Sequence, residues 1–173
     1  DAAPTAIVHL WSVTPLTEMG PTWLDTAQTH GFYSLLYLTQ ALADDSAKAS
    51  TAIALTVVSN NMQEVVAEEL LAPEKATLLG AVKVLPQEHA DITCCSVDVL
   101  LPPNTGATAT AAASQMARLA AQLLNEVSKH QPNAVVAYRG KQRWQQQFER
   151  VALGEVVATP RLRAGGGYLI TGG

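Results

Sequence analysis

The sequence predicts an α/β fold, a mainly parallel sheet with helices on both faces. Two observations carry this. Strand-length runs rich in β-branched residues alternate with segments of helical periodicity, and those runs are apolar throughout, as strands covered on both faces are. The 173 residues amount to about one domain, and 48% hydrophobic against 15% charged residues is enough to bury a core without disulfides or metals.

Residues 5–13, TAIVHLWSV, are β-branched and large apolar residues bounded by Pro4 and Pro15, which predicts a buried first strand. In residues 29–45, THGFYSLLYLTQALADD, Phe32, Leu35, Leu36 and Leu42 recur at near-helical spacing, with Tyr33 and Tyr37 on a neighbouring flank. STAIALTVVS, residues 50–59, is a continuous second strand. Pro73 opens a second helix at a tolerated first-turn position, with Leu78, Val82 and Leu85 on one face. ITCCSVDVLL is a third strand ending at Pro102. After turn residues 104–106, Met116, Leu119, Ala120, Leu123, Leu124 and Val127 follow the i, i+3, i+4, i+7, i+8, i+11 pattern of a long helix. AVVAYRG, residues 134–140, returns to strand and residues 141–151 form one more extended piece. A linker-like stretch over 154–167, interrupted by Pro160 and a glycine triplet, leads to a final strand in GYLIT.

A net charge of -4 gives no electrostatic basis for nucleic acid as a partner. No apolar run approaches the roughly 18 to 20 residues of a membrane span. The two cysteines, Cys94 and Cys95, are neighbours in a strand and point to opposite faces. A disulfide framework is therefore not expected, and a reducing, cytoplasmic compartment is. The first residue, Asp1, and the abrupt glycine-rich end lead us to expect a segment of a longer polypeptide.

Open parallel sheets bind ligands at the carboxyl ends of their strands. Here those ends carry Ser12, Thr14, Ser59, Asn60, Asn61 and Asp98, with no glycine-rich phosphate loop. The first βα connection, TPLTEMGPTW, has one glycine where G-x-G-x-x-G would be needed, so a nucleotide site within the chain is not expected. His9, His30, His89 and His130 lack metal-ligand spacing. His9 reads as a hydrogen-bonded core residue, and His30 and His130 as residues near helix ends. Cys94, inside a strand, has no base to activate it. Asp44–Asp45 and Glu68–Glu69 are adjacent pairs that read as solvated surface charge. Arg139, Lys141 and Arg143 form a basic cluster that either contacts a phosphate or pairs with acidic residues of a neighbouring domain, the acidic overall charge favouring the second. Thr171, Gly172 and Gly173 read as the opening of a glycine-rich turn from a strand into a phosphate-binding helix.

Five stretches in order resemble one family. These are HLWSVT from His9, GFYSLLYLTQAL from Gly31, the pattern P-x-x-A-x-x-x-G-x-x-[KR]-x-x-x-x-E met by Pro73, Ala76, Gly80, Lys83 and Glu88, AYRGKQRW with Arg139, Gly140 and Arg143, and LRAGGGYLITGG. Together they resemble the N-terminal structural subdomain of the ketoreductase domain of modular type I polyketide synthases. One departure is local: Glu88 is followed by His89-Ala90-Asp91 where the family often has proline.

The resemblance implies a truncated Rossmann-like fold that is structural and non-catalytic, with residues 1–166 as that subdomain. Residues 167–173 would be the first strand and the start of the glycine loop of the catalytic subdomain. Thr171, Gly172 and Gly173 match the first residues of the family's T-G-G-x-G-x-x-G cofactor loop; its catalytic residues match no position here. The implied cofactor is NADPH in the complete domain and none in this segment. The implied reaction is reduction of a β-ketoacyl polyketide intermediate held on an acyl carrier protein. Implied partners are the catalytic ketoreductase subdomain of the same polypeptide and the carrier domain. A second expectation is a docking module beside a methyltransferase or carrier domain.

Overall fold

Strands β1 (Ala6–Ser12), β2 (Ile53–Asn60), β3 (Ile92–Val99) and β4 (Val135–Arg139) lie parallel and side by side in chain order, and β5 (Gln142–Gln145) returns antiparallel along β4. The computed structural model describes residues 4–16, 20–46, 52–102, 108–152 and 163–171. The two-residue turn between β4 and β5 begins at Gly140, whose φ of 61° is one that a side chain would disfavour.

Between β1 and β2 run α1 (Trp23–Gln28), a π-helical turn (Thr29–Tyr33) and α2 (Ser34–Ser46). A 3₁₀ turn (Pro73–Thr77) leads into α3 (Leu78–Glu88), and α4 (Ala109–Lys129) joins β3 to β4. The helical entry at Trp23 precedes the expected start, because WLDTAQ buries no side chain and so shows no apolar stripe. Gly31 in the π turn is buried close to β1 and α3: a Cβ there would lie in contact, at 3.4 Å from Ser12 Oγ and 3.7 Å from Leu78 Cδ1.

Each face of the sheet has its own core. Leu35 of α2 and Leu78, Val82 and Leu85 of α3 pack on Ile53, Leu55, Val57 and Cys94. Leu119 of α4 packs on the opposite face with Val58, Val97, Val136 and Tyr138. Burying one Leu or Val side chain in this way contributes about 1.5–3 kcal/mol. All three crossovers step in the same direction along the sheet, yet α4 lies on the face opposite α2 and α3. The β3–α4–β4 crossover therefore has the opposite hand to the two before it.

The alternating α/β pattern and the covering of both faces agree with the truncated Rossmann-like expectation. Two details do not. Met116 and Leu124, in the predicted stripe of α4, are exposed, because the stripe is wider than the strip of sheet beneath it. The final strand expected in GYLIT is absent: residues 167–171 have no regular secondary structure, and Leu169 and Ile170 are 91% and 87% exposed. An apolar run with no strand in this sheet to pair with has nothing to hold it in a ladder. Among the described residues, no helix is long and apolar enough to cross a membrane.

Candidate functional site

The carboxyl ends of β2, β3 and β4 bring Ser59, Asp98 and Arg139 together, because Ser59 and Asp98 are register partners and Arg139 ends the next strand. Asp98 is fully buried. Its Oδ1 accepts from Ser59 Oγ at 3.1 Å and from the Met62 amide at 2.9 Å. Its Oδ2 accepts from the Gln63 amide at 3.3 Å and from Arg139 Nη2 at 2.9 Å. Arg139 also donates from Nη2 to the Gln63 carbonyl at 2.6 Å and from Nη1 to the Tyr138 carbonyl at 3.1 Å, and it forks onto the Glu69 carboxylate. Every acceptor of the fork lies within this chain.

Burial pushes the Glu69 carboxyl up, but the Arg139 hydrogen bond, the Val65 and Val66 amides and the guanidinium charge outweigh it and hold it below its ordinary value. Arg139 is raised: burial opposes its charge, and its hydrogen bonds and proximity to Glu69 and Asp98 prevail. The loop that follows β2 is tied down as well. Asn61, with φ of 58°, donates from Nδ2 to the Leu70 carbonyl at 2.9 Å and accepts the Ala72 amide at 2.7 Å.

Beside this network Lys75 is buried, and its ammonium donates to Asn60 Oδ1 at 2.7 Å and to the Asn60 and Thr14 carbonyls, both at 3.3 Å. Burial lowers its pKa, while the nearby Glu74 and Asp98 charges act in the opposite sense. Three acceptors use its three donors. Lys75 thereby fastens the turn before α3 to the ends of β1 and β2.

The two arginines of the basic cluster make three internal ion pairs. Arg143 pairs bidentately with Glu126 of α4, at 2.7 and 2.8 Å, and the Tyr138 hydroxyl donates to the same carboxylate at 2.7 Å. The expected pairing with a neighbouring domain is therefore corrected for both arginines, since their acidic partners come from this domain. Lys141 is exposed. Glu68 is exposed as expected, but Glu69 is not solvated surface charge; its side chain is 6% exposed against Arg139. Asp44 and Asp45 lie where side chains fall outside the description, as do Gly172 and Gly173 altogether; Thr171 is described and exposed.

His9 is buried and hydrogen-bonded as expected, its Nε2 lying 2.8 Å from Ser34 Oγ. The Ser34 hydroxyl has backbone acceptors at His30 and Gly31 for its one proton, so Nε2 carries the hydrogen and donates to it. His130 ends α4, with Nε2 2.8 Å from Thr93 Oγ1. His30 lies in the π turn and His89 ends α3. Cys94 and Cys95 are free and buried, and burial followed by the neighbouring Cys95 pushes the Cys94 thiol up to about 12. Among the described residues no group of three or more His, Cys, Asp or Glu is placed to hold a metal.

Two buried polar residues, Lys75 and Glu126, carry no motif. Glu126 falls seven residues after the buried Leu119, on the covered side of α4, and that position was its sequence signal. The pattern residues Ala76, Gly80 and Lys83 are all exposed. They are placed on the outer surface rather than in the core.

Residues 1–112 match the family described as beta-ketoacyl synthase-like, N-terminal. Over 121 residues, 69% of this chain, the sequence is 30% identical to a phenolphthiocerol/phthiocerol polyketide synthase polypeptide of Mycobacterium tuberculosis strain CDC 1551, and equally to one of strain H37Rv. The chain spans only 6% of the length of those polypeptides. A solved structure titled as the adenylation, ketoreductase and pseudo Asub multidomain structure of a keto acid-selecting NRPS module superposes with a TM-score of 0.58 at 25% identity, covering 80% of this chain and 11% of that one.

Proposed function

Because this chain belongs to the beta-ketoacyl synthase-like, N-terminal family and is a structural subdomain of the polyketide-synthase ketoreductase type, we propose that it serves as the non-catalytic scaffold half of such a reductase. The observation that carries this reading is the inward engagement of the polar groups at the carboxyl ends of β2, β3 and β4. In nucleotide-binding α/β sheets those ends are open to receive a pyrophosphate. Here Asp98, Arg139, Glu69, Lys75 and Asn60 spend their hydrogen bonds on one another and on the backbone.

In the proposed division of labour, NADPH and the groups that act on a carrier-bound β-ketoacyl chain belong to the catalytic subdomain of the same polypeptide, and the cofactor supplies the hydride. Thr171, Gly172 and Gly173 would open its cofactor loop. The exposed apolar residues of the edge strand β1, Val8, Leu10 and Trp11, are the surface that half would cover.

The test is a fluorescence titration of NADPH into the 173-residue chain and into the same chain joined to the catalytic subdomain of its own synthase. Binding and reduction of a β-ketoacyl thioester by the joined protein alone are the expected outcome. Stoichiometric binding by the short chain would overturn the reading. Binding by neither would replace it with a docking element beside a methyltransferase or carrier domain.

A further inference from the structure

A cleft of about 360 Å³ opens between the end of β1 and the start of the helical layer, and Trp11, Trp23, Thr14, His30, Glu74 and Lys75 are among its walls. Its polar chemistry is unbalanced. Lys75 has all three donors engaged by Asn60 and the Thr14 carbonyl, so none is left for the Glu74 oxygens or for a ligand in the cleft. Glu74 is 9% exposed, and its Oε2 is buried without a hydrogen-bond partner. Leaving a buried carboxylate oxygen unmatched is costly, and more so for a charged group. That oxygen is closed to solvent, so a donor in the cleft recovers the cost when the Glu74 carboxylate turns toward it.

We propose that this cleft binds the guanidinium of an arginine side chain presented by the protein surface that covers β1. Three features select it. The free acceptor is anionic and calls for a cation. Two of the walls are indole rings, and a planar, weakly hydrated guanidinium stacks on these better than an ammonium does. Trp11 is shared between the cleft and the exposed apolar strip of β1, so a surface laid on Val8 and Leu10 borders the cleft mouth. The site rests on the scaffold reading for the source of the arginine and not for its existence.

The experiment uses the 173-residue chain alone, with N-acetylarginine amide as the probe and intrinsic emission as the readout, since two of the three tryptophans line the cleft. A saturable change is expected, weaker by at least about ten-fold in Glu74→Gln. Glu74→Gln removes a charge that favours the buried Lys75 ammonium, so the urea midpoint of the variant alone is measured first and the effect of the probe is read as a shift from it. The probe should raise the urea midpoint of the parent chain and not of the variant. An equal response to N-acetylnorvaline amide, or unchanged affinity in Glu74→Gln, would overturn the site. An equal response to N-acetyllysine amide would overturn its assignment to arginine. No catalytic subdomain takes part, so failure here leaves the scaffold reading standing, and failure of the NADPH experiment leaves this site standing.

Discussion

Arg139 Nη2 donates to Asp98 Oδ2 at 2.9 Å, with the two side chains 5% and 0% exposed. This pair ties the carboxyl ends of β3 and β4 together, and Glu69 on the other side of the guanidinium extends the tie to the loop after β2. Breaking a buried ion pair from one side leaves an uncompensated charge, which costs about 3–5 kcal/mol. Arg139→Met is therefore expected to lower unfolding stability by that amount, read from the urea midpoint at unchanged slope. Arg139→Met combined with Asp98→Asn should recover part of the loss. A single variant within about 0.5 kcal/mol of the parent would show that the network does not hold the strand ends together.

Acid should loosen the molecule in two stages. Burial keeps His9 and His130 below the ordinary 6.5, so below that pH the unfolded chain takes up protons that the folded chain refuses, and stability begins to fall. Glu69 and Glu126 are held below the ordinary 4.5, the first against burial by Arg139, the second foremost by the Arg143 hydrogen bond. Their contribution is fully present above 4.5 and is lost as pH falls through the lower folded values. Thermal midpoints measured from about pH 7 to about pH 3 should decline gently and then steeply. Glu69→Gln should flatten the steep part and leave the gentle part unchanged.

The sheet and its covering helices were legible because β2 and β3 are buried on both faces and read as unbroken apolar runs. The polar network at the strand ends was less legible. Asp98 and Asn60 stood out as polar residues at strand ends, but Lys75, Glu69 and Arg139 are distant in sequence, and only the strand order brings them together. A charged residue looks the same in a sequence whether its partner is solvent or a buried guanidinium. The hand of the β3–α4–β4 crossover was likewise invisible, since periodicity shows that α4 has an apolar face but not which side of the sheet receives it.

Cys94 and Cys95 should be inert while the chain is folded. A rise in the Cys94 pKa from 9.0 to about 12 lowers its thiolate fraction at neutral pH roughly 10³-fold, and burial adds the need to open the strand. Reaction with a disulfide reagent is expected to be slow and to accelerate through the urea transition in step with unfolding. Rapid modification of the native chain would contradict the packing of β3.

The outer edge of β1 gives the last expectation. Val8, Leu10 and Trp11 are 41%, 48% and 65% exposed on a strand that, among the described residues, has a neighbour on one side only. Such an edge presents unpaired amides and carbonyls flanked by apolar side chains, which is a template for association. The isolated chain should therefore self-associate with rising concentration in sedimentation velocity. Val8→Lys with Leu10→Lys should suppress this while changing stability by no more than about 0.5 kcal/mol, since neither residue is in the core. The same variant should fail to join the catalytic subdomain supplied as a separate chain. If it joins as well as the parent, the covering surface lies elsewhere, and the exposed Ala76, Gly80 and Lys83 on the turn before α3 and on α3 itself are the next place to substitute.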